Sequence, residues 1–143
     1  MPYEYLPDIA IADVAFRATG NTIEEMFVAA ARATTNVMVD DLSTIERREE
    51  VQVDLSEQAL DMLLFDFLNE LIFLKDSRQL LLLPKELEIT SKDPGIRLVA
   101  TLSGEQLNPA THPLNADVKA VTLHRFEVKE TPEGWEATVV LDI

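Results

Sequence analysis

The stretch from Leu60 to Leu74 constrains this chain more than any other. Leu60, Leu64, Phe67, Leu68, Leu71 and Leu74 recur at three- and four-residue steps, the stripe of a helix. Met62, Phe65, Ile72 and Phe73 widen that stripe nearly all round. Such a helix must be buried on most of its sides. A membrane is excluded, because Asp61, Asp66, Asn69 and Glu70 are too polar for a span of about 20 residues. The rest of the chain therefore has to wrap it. The pattern predicts a helix over about 55–75, opened by a capping box of Asp54 and Glu57.

A second helix is predicted over 22–39. Ile23, Phe27, Ala30, Thr34 and Val37 share one face, Gly20-Asn21 marks a turn before it, and Thr22 with Glu25 forms its capping box. Strand patterns cover Ala10–Thr19, Val51–Val53, Leu80–Leu83 (ended by Pro84), Leu87–Thr90, Ile96–Leu102, Val118–Val128 and Trp135–Ile143. Asp93-Pro94-Gly95 and Thr131–Gly134 read as hairpin turns, and 103–117 as a long loop of the kind that is often functional. Trp135 is most simply a core residue closing the second hairpin. No repeat, linker or low-complexity tract divides the 143 residues, 47% of which are apolar, so one domain over 1–143 is expected. The fold class is α+β: a two-layer domain with two long helices packed on a largely antiparallel mixed sheet.

Composition narrows the chemistry. Without cysteine there is no disulfide, thiolate metal site, iron–sulfur cluster or thiol nucleophile. Two histidines, His112 and His124, are too few for a histidine-rich zinc centre. Twelve Lys plus Arg against 26 Asp plus Glu leave a net charge of −14, which argues against autonomous nucleic-acid binding and suits a cation or a basic protein partner. Met1–Tyr5 lacks the basic and apolar regions of a signal peptide, so a soluble, cytoplasmic protein is expected. Phosphate loops, nucleophile elbows and H-E-x-x-H are all missing.

What remains is a set of carboxylates in apolar company. Asp13 lies within Ala10–Phe16, and Asp142 lies within Val139–Ile143 beside the α-carboxylate of Ile143. Taken alone, each aspartate could simply reach solvent at a strand end. Should sheet pairing bring Asp13 to Asp142, three anionic groups converge, and a hard cation with oxygen ligands is the natural compensator. Pairing across the second hairpin sets Asp142 near Val121 or Thr122, within a few residues of Lys119 and His124. Lys119 otherwise reads as an edge-strand gatekeeper, and His124 as a half-buried core histidine. Asp66, Asn69 and Glu70 share the solvated or loop-capping side of their helix. Asp40-Asp41 end the first helix against its dipole, so a cation must answer them or they serve another purpose.

The combination resembles the archease family nearly end to end. The resemblance is carried by Tyr3–Leu6, Ala12–Gly20, Thr22–Glu25 with Asn36–Asp40, the block Leu63–Leu74, Val118–His124 and Val139–Ile143. One departure is plain: the family commonly has His-Thr before the Ala-Asp pair, and here Ala10-Ile11 stand there. Asp8 is no substitute, because a five-residue step puts it on the strand face opposite Asp13.

The resemblance implies a non-catalytic partner of an RtcB-type RNA ligase, promoting its guanylylation and multiple turnover in tRNA splicing and RNA repair. It also implies a divalent cation, calcium ahead of magnesium, on Asp13, Asp142 and Ile143. An activation surface of Lys119, Asp40 and His124 accompanies it. A general protein chaperone and a metal-dependent hydrolase built on the same carboxylates are the competing readings. The first needs an exposed apolar patch and the second a positioned base, for which His124 is the neutral-pH candidate.

Overall fold

The computed structural model describes residues 2–7 and 13–143. Thr22 caps the first helix, α1 (Ile23–Met38), as its sequence implies: its hydroxyl accepts from the Glu25 amide at 3.1 Å, and Glu25 accepts from the Thr22 amide at 3.1 Å. The second helix, α2 (Leu60–Arg78), begins five residues later than its apparent capping box suggests, at Ala59, which contributes no side-chain cap. Asp54 and Glu57 belong instead to a strand, β3 (Glu49–Glu57), where Asp54 forms an ion pair with Arg97 at 2.6 Å. The reason is the alternation Val51, Val53, Leu55, a period of two that overrides a two-residue cap match. Lys75 and Arg78 lie in the last turn of α2, favourably placed for its dipole.

The remaining strands are β1 (Tyr3–Tyr5), β2 (Val14–Gly20), β4 (Leu80–Lys92), β5 (Gly95–Gln106), β6 (Ala120–Thr131) and β7 (Gly134–Asp142). The α+β class and the antiparallel pairing are as the sequence implies. Periodicity does not reveal that the strands divide between two sheets, ordered β1-β2-β7-β6 and β3-β5-β4. Each helix packs on strands of both: α1 on β2, β4 and β7, α2 on β3, β4, β5 and β6. That is why α2 is apolar nearly all round. Phe27 of α1 stacks on Phe67 of α2 at 6.1 Å within one core cluster that also takes in Phe16, Leu81, Leu98 and Val139.

Two sequence expectations shift here. β4 continues through Pro84, because β4 is a sheet edge and the ladder takes up the missing N–H with a register shift between Pro84 and Glu86. β5 runs on to Gln106, so the connection to β6 is shorter than 103–117 at its start. Gly104 sits inside β5 with the Leu81 carbonyl of β4 where a Cβ would stand, so only glycine fits. The start of the expected strand Ala10–Thr19, together with Asp8 and Ala10-Ile11, lies outside the described residues.

The segment after β5 docks on the end of α1. Ala116 and Asn115 donate to the carbonyls of Val37 and Met38 at 3.1 and 2.9 Å, and Asp40 donates to Pro113 at 2.9 Å. Two of the helix's orphan carbonyls are thus satisfied by a loop, and no basic residue occupies its last turn. Asp41 finds its purpose next door. It caps the 3-10 turn Leu42–Thr44, accepting from the Ser43 hydroxyl at 2.6 Å and amide at 3.0 Å, and these bonds hold its carboxyl below the usual range.

Candidate functional site

The pairing of β2 with β7 runs antiparallel from Gly20↔Trp135 to Val14↔Leu141. Carried one residue further, that register sets Asp13 opposite Asp142 at one end of the four-stranded sheet. Both are half-buried. Neither side chain accepts a hydrogen bond or joins an ion pair among the described residues. Ile143 follows Asp142 and packs half-buried against the core. On the other flank β6 begins at Ala120, directly opposite Asp142, and the Lys119 amide donates to the Asp142 carbonyl at 2.8 Å. Asp142 therefore lies one to two residues nearer Lys119 than the hairpin count implies.

One strand end thus gathers Asp13, Asp142, Ile143 and Lys119. Lys119 is exposed, and its ammonium makes no ion pair with a described residue. His124 is not in this group: it sits further along β6, exposed rather than half-buried, on a segment that leaves the ladder. Asp40 is exposed and joined to the strand end only through the chain from Pro113 to Lys119; no bond links it to either aspartate among the described residues. No three His, Cys, Asp or Glu side chains among the described residues are grouped to hold a metal ion. The donor chemistry is nonetheless that of a hard cation, since the two unpartnered groups are carboxylates.

Helix α2 fixes the approach to Lys119, and the sequence reading missed how. Lys75 is buried, 6% exposed, and its ammonium donates to the Val118 carbonyl at 2.9 Å and to Asp117 and Asp76 at 2.5 Å. Burial works against that charge, but the two carboxylates outweigh it and raise the lysine above its usual range. The signal was there: Lys75 continues the buried steps Leu64, Leu68, Leu71. Asn69 holds the next point, accepting from the Val121 amide at 3.4 Å while donating to the Phe65 carbonyl at 3.0 Å. We expect Lys75→Met to lower stability by about 1–3 kcal/mol in denaturant melts, chiefly because the Val118 carbonyl loses its donor; Asp76 and Asp117 stay hydrated.

Two further polar pairs shape the surroundings. His112, 2% exposed, accepts the Asn108 amide at Nδ1 and so carries its proton on Nε2, which donates to Glu105 at 2.9 Å. Glu105 also accepts from the Glu46 amide at 2.8 Å, and these bonds, the Glu46 one first, hold its carboxyl below the usual range. This histidine is structural, and it ties the docked loop to β5.

Asp66 on α2 is different. Burial, then its hydrogen bond and charge contact with Glu57, push it up to about 6. An unfolded aspartate titrates at about 3.9, so between about pH 4 and 6 the folded protein holds more protons than the unfolded one. Stability from this pair is complete below that window and lost as pH rises through it. Asp66→Asn should flatten the slope and raise the melting temperature at pH 7; an unchanged profile between pH 4 and 7 would contradict it.

Fold and site together define a class: an α+β protein whose two antiparallel sheets are bridged by two helices, with two half-buried aspartates at one sheet end. The family model described as the Archease protein family (MTH1598/TM1083) matches residues 3–143, and the chain belongs to that family. It is 37% identical over 142 residues to Protein archease of Methanosarcina acetivorans, covering 99% of this chain and 95% of that one. Protein archease of Methanopyrus kandleri is 33% identical, with 100% of both chains covered. The solution structure of protein 1598 of Methanobacterium thermoautotrophicum is similar at a TM-score of 0.85 and 35% identity, covering 99% of each chain. A crystal structure from Thermotoga maritima, described as an archease and possible chaperone, shares the fold at a TM-score of 0.60 and 21% identity, covering 94% of this chain and 93% of that one.

Proposed function

We propose that this chain is a non-catalytic, cytoplasmic activator of an RtcB-type RNA ligase, promoting the ligase's guanylylation and repeated turnover in tRNA splicing and RNA repair. Asp13, Asp142 and the carboxylate of Ile143 hold one divalent cation, calcium in first place and magnesium in second. Lys119, with Asp40 and His124, forms the surface that meets the ligase. The observation that carries this reading is the β2–β7 register, which runs to Val14↔Leu141, one residue short of Asp13 and Asp142, both half-buried and without a partner among the described residues.

Two opposed carboxylates repel each other, and a positive charge shared between them would relieve that repulsion. Hard oxygen donors select Ca²⁺ or Mg²⁺ over softer metals. A bound cation would supply positive charge and open coordination positions at the interface. The chain's own groups orient it: the Lys119–Asp142 backbone bond and the Lys75 clamp fix the strand end so that carboxylates and ammonium face one partner. The net charge of −14 attracts a basic partner and discourages direct binding of tRNA.

The chaperone reading draws on the wording attached to the Thermotoga maritima protein. Here the exposed large apolar residues, Tyr5, Phe73, Val99, Leu114 and Leu123, are spread over five different elements and connections. A hydrolase would need a base held near the carboxylates, and His124 stands apart from them on its exposed segment. One set of assays separates the three: RNA ligation by the cognate ligase with and without this protein, hydrolysis by the protein alone, and suppression of aggregation of unrelated clients. The account predicts an effect in the first only; hydrolysis or broad client protection without ligase stimulation would overturn it.

A further inference from the structure

We infer that the outward bulge of β6, with Leu123 and Arg125 at its tip, is a docking knob that seats in an apolar notch walled by carboxylates on a protein partner. This rests on the reading above, in which the partner is the RNA ligase, and adds the contact that fixes its orientation.

The bulge is large. Thr122 pairs with Val140 and Glu127 with Thr138, so Leu123 through Phe126 face only Val139. An ordinary bulge sets two residues against one. An open surface pocket of about 370 Å³ is lined by Arg125, Phe126, Glu127 and Thr138. Its ends are nevertheless held. Asn69 of α2 binds the Val121 amide at 3.4 Å, the Thr122 hydroxyl donates to Val140 at 3.0 Å, and Phe126 meets Phe65 of α2 edge to face at 5.7 Å. The segment between these anchors, Leu123 to Arg125, is exposed.

What it projects brings the fold no return. Leu123 is 61% exposed, the most exposed of the large apolar residues described. Arg125 adopts a left-handed backbone, φ 54°, which a residue with a Cβ rarely takes up. Arg125 and His124 are exposed, and their side chains make no ion pair or hydrogen bond with any described residue. Arg17, Arg48, Lys75, Lys85, Arg97 and Lys129 each meet a carboxylate, whereas Arg125, like Lys119, meets none among the described residues. Even Glu127, which lines the same pocket as Arg125, is engaged by Lys129 at 3.7 Å. Four residues set against one, with Arg125 in the left-handed region at the tip beside Leu123, form a backbone outlier that points to a contact made with another molecule.

The chemistry of the tip names the class of occupant. A guanidinium fork selects carboxylates or phosphates, while Leu123 needs an apolar recess. Nucleic acid would answer Arg125 but not Leu123, and the acidic body would repel it. A protein surface answers both. The acidic body steers a basic partner, and a knob of opposite sign admits only one register on it.

Arg125→Gly and Leu123→Ser test this against immobilised ligase. Glycine accepts the left-handed backbone, so the Arg125 variant keeps the bulge and should melt no lower than wild type. The off-rate should rise about tenfold or more in each variant while the on-rate stays within about twofold, because the steering charge is not reduced. Lys85→Ala, on the other sheet, should change neither. Unchanged off-rates with wild-type binding intact would overturn the knob alone. Tight tRNA binding that is lost in Arg125→Gly would overturn it in favour of nucleic acid. A ligase that does not bind even the wild-type protein would overturn the reading beneath it.

Discussion

Asp142→Ala is expected to weaken Ca²⁺ or Mg²⁺ binding at least tenfold, about 1.4 kcal/mol, and to remove most of the stimulation of RNA ligation. The fold should survive, because Asp142 is the last residue of β7 and its side chain has no partner among the described residues. The sign of the stability change is itself informative. Without cation, deleting one of two opposed carboxylates relieves repulsion, so the variant should melt at or above the wild-type temperature. With saturating cation, wild type gains stability by linkage and the variant does not. Calorimetric titration with each cation and paired melts with and without it check both statements. A variant that binds cation normally and melts in parallel with wild type would sink the assignment.

Lys119→Ala should cut stimulation at least as sharply while costing within about 0.5 kcal/mol of stability. Its side chain is exposed and unpaired among the described residues, and its bond to Asp142 is made by the backbone amide, which alanine keeps. A gatekeeper lysine on an edge strand would behave in the opposite way, losing solubility and leaving stimulation alone. Ligation rates against concentration of the variant, with monodispersity followed in parallel, separate the two roles.

Local signals were legible in the sequence, and non-local ones were not. The capping box of Thr22 and Glu25 could be read because both of its bonds lie within one turn. The same pattern at Asp54 and Glu57 misled, since a strand alternation through Val51, Val53 and Leu55 occupies that stretch and Asp54 answers Arg97 across the sheet. The division into two sheets depends on which strands choose each other, and no periodicity encodes that. For the site, the carboxylates stood out by their apolar neighbours, whereas their being opposite each other required the β2–β7 register. The half-buried core placement of His124 failed because β6 leaves its partner at Thr122, so alternation no longer predicts which face a side chain takes. Lys75 shows the reverse: its place on the buried stripe was readable, but its partners Asp117 and Val118 lie more than forty positions away.

The central claim is that this protein acts on the ligase's nucleotide-transfer step and does so by preferring one conformation of the ligase. The most direct measurement is incorporation of labelled guanylate into the cognate ligase that has completed one round of ligation, with wild-type protein, with Asp142→Ala and with Lys119→Ala. The account predicts rapid re-guanylylation with wild type and little with either variant. Equal incorporation in all three, or none above the level of ligase alone, would contradict it.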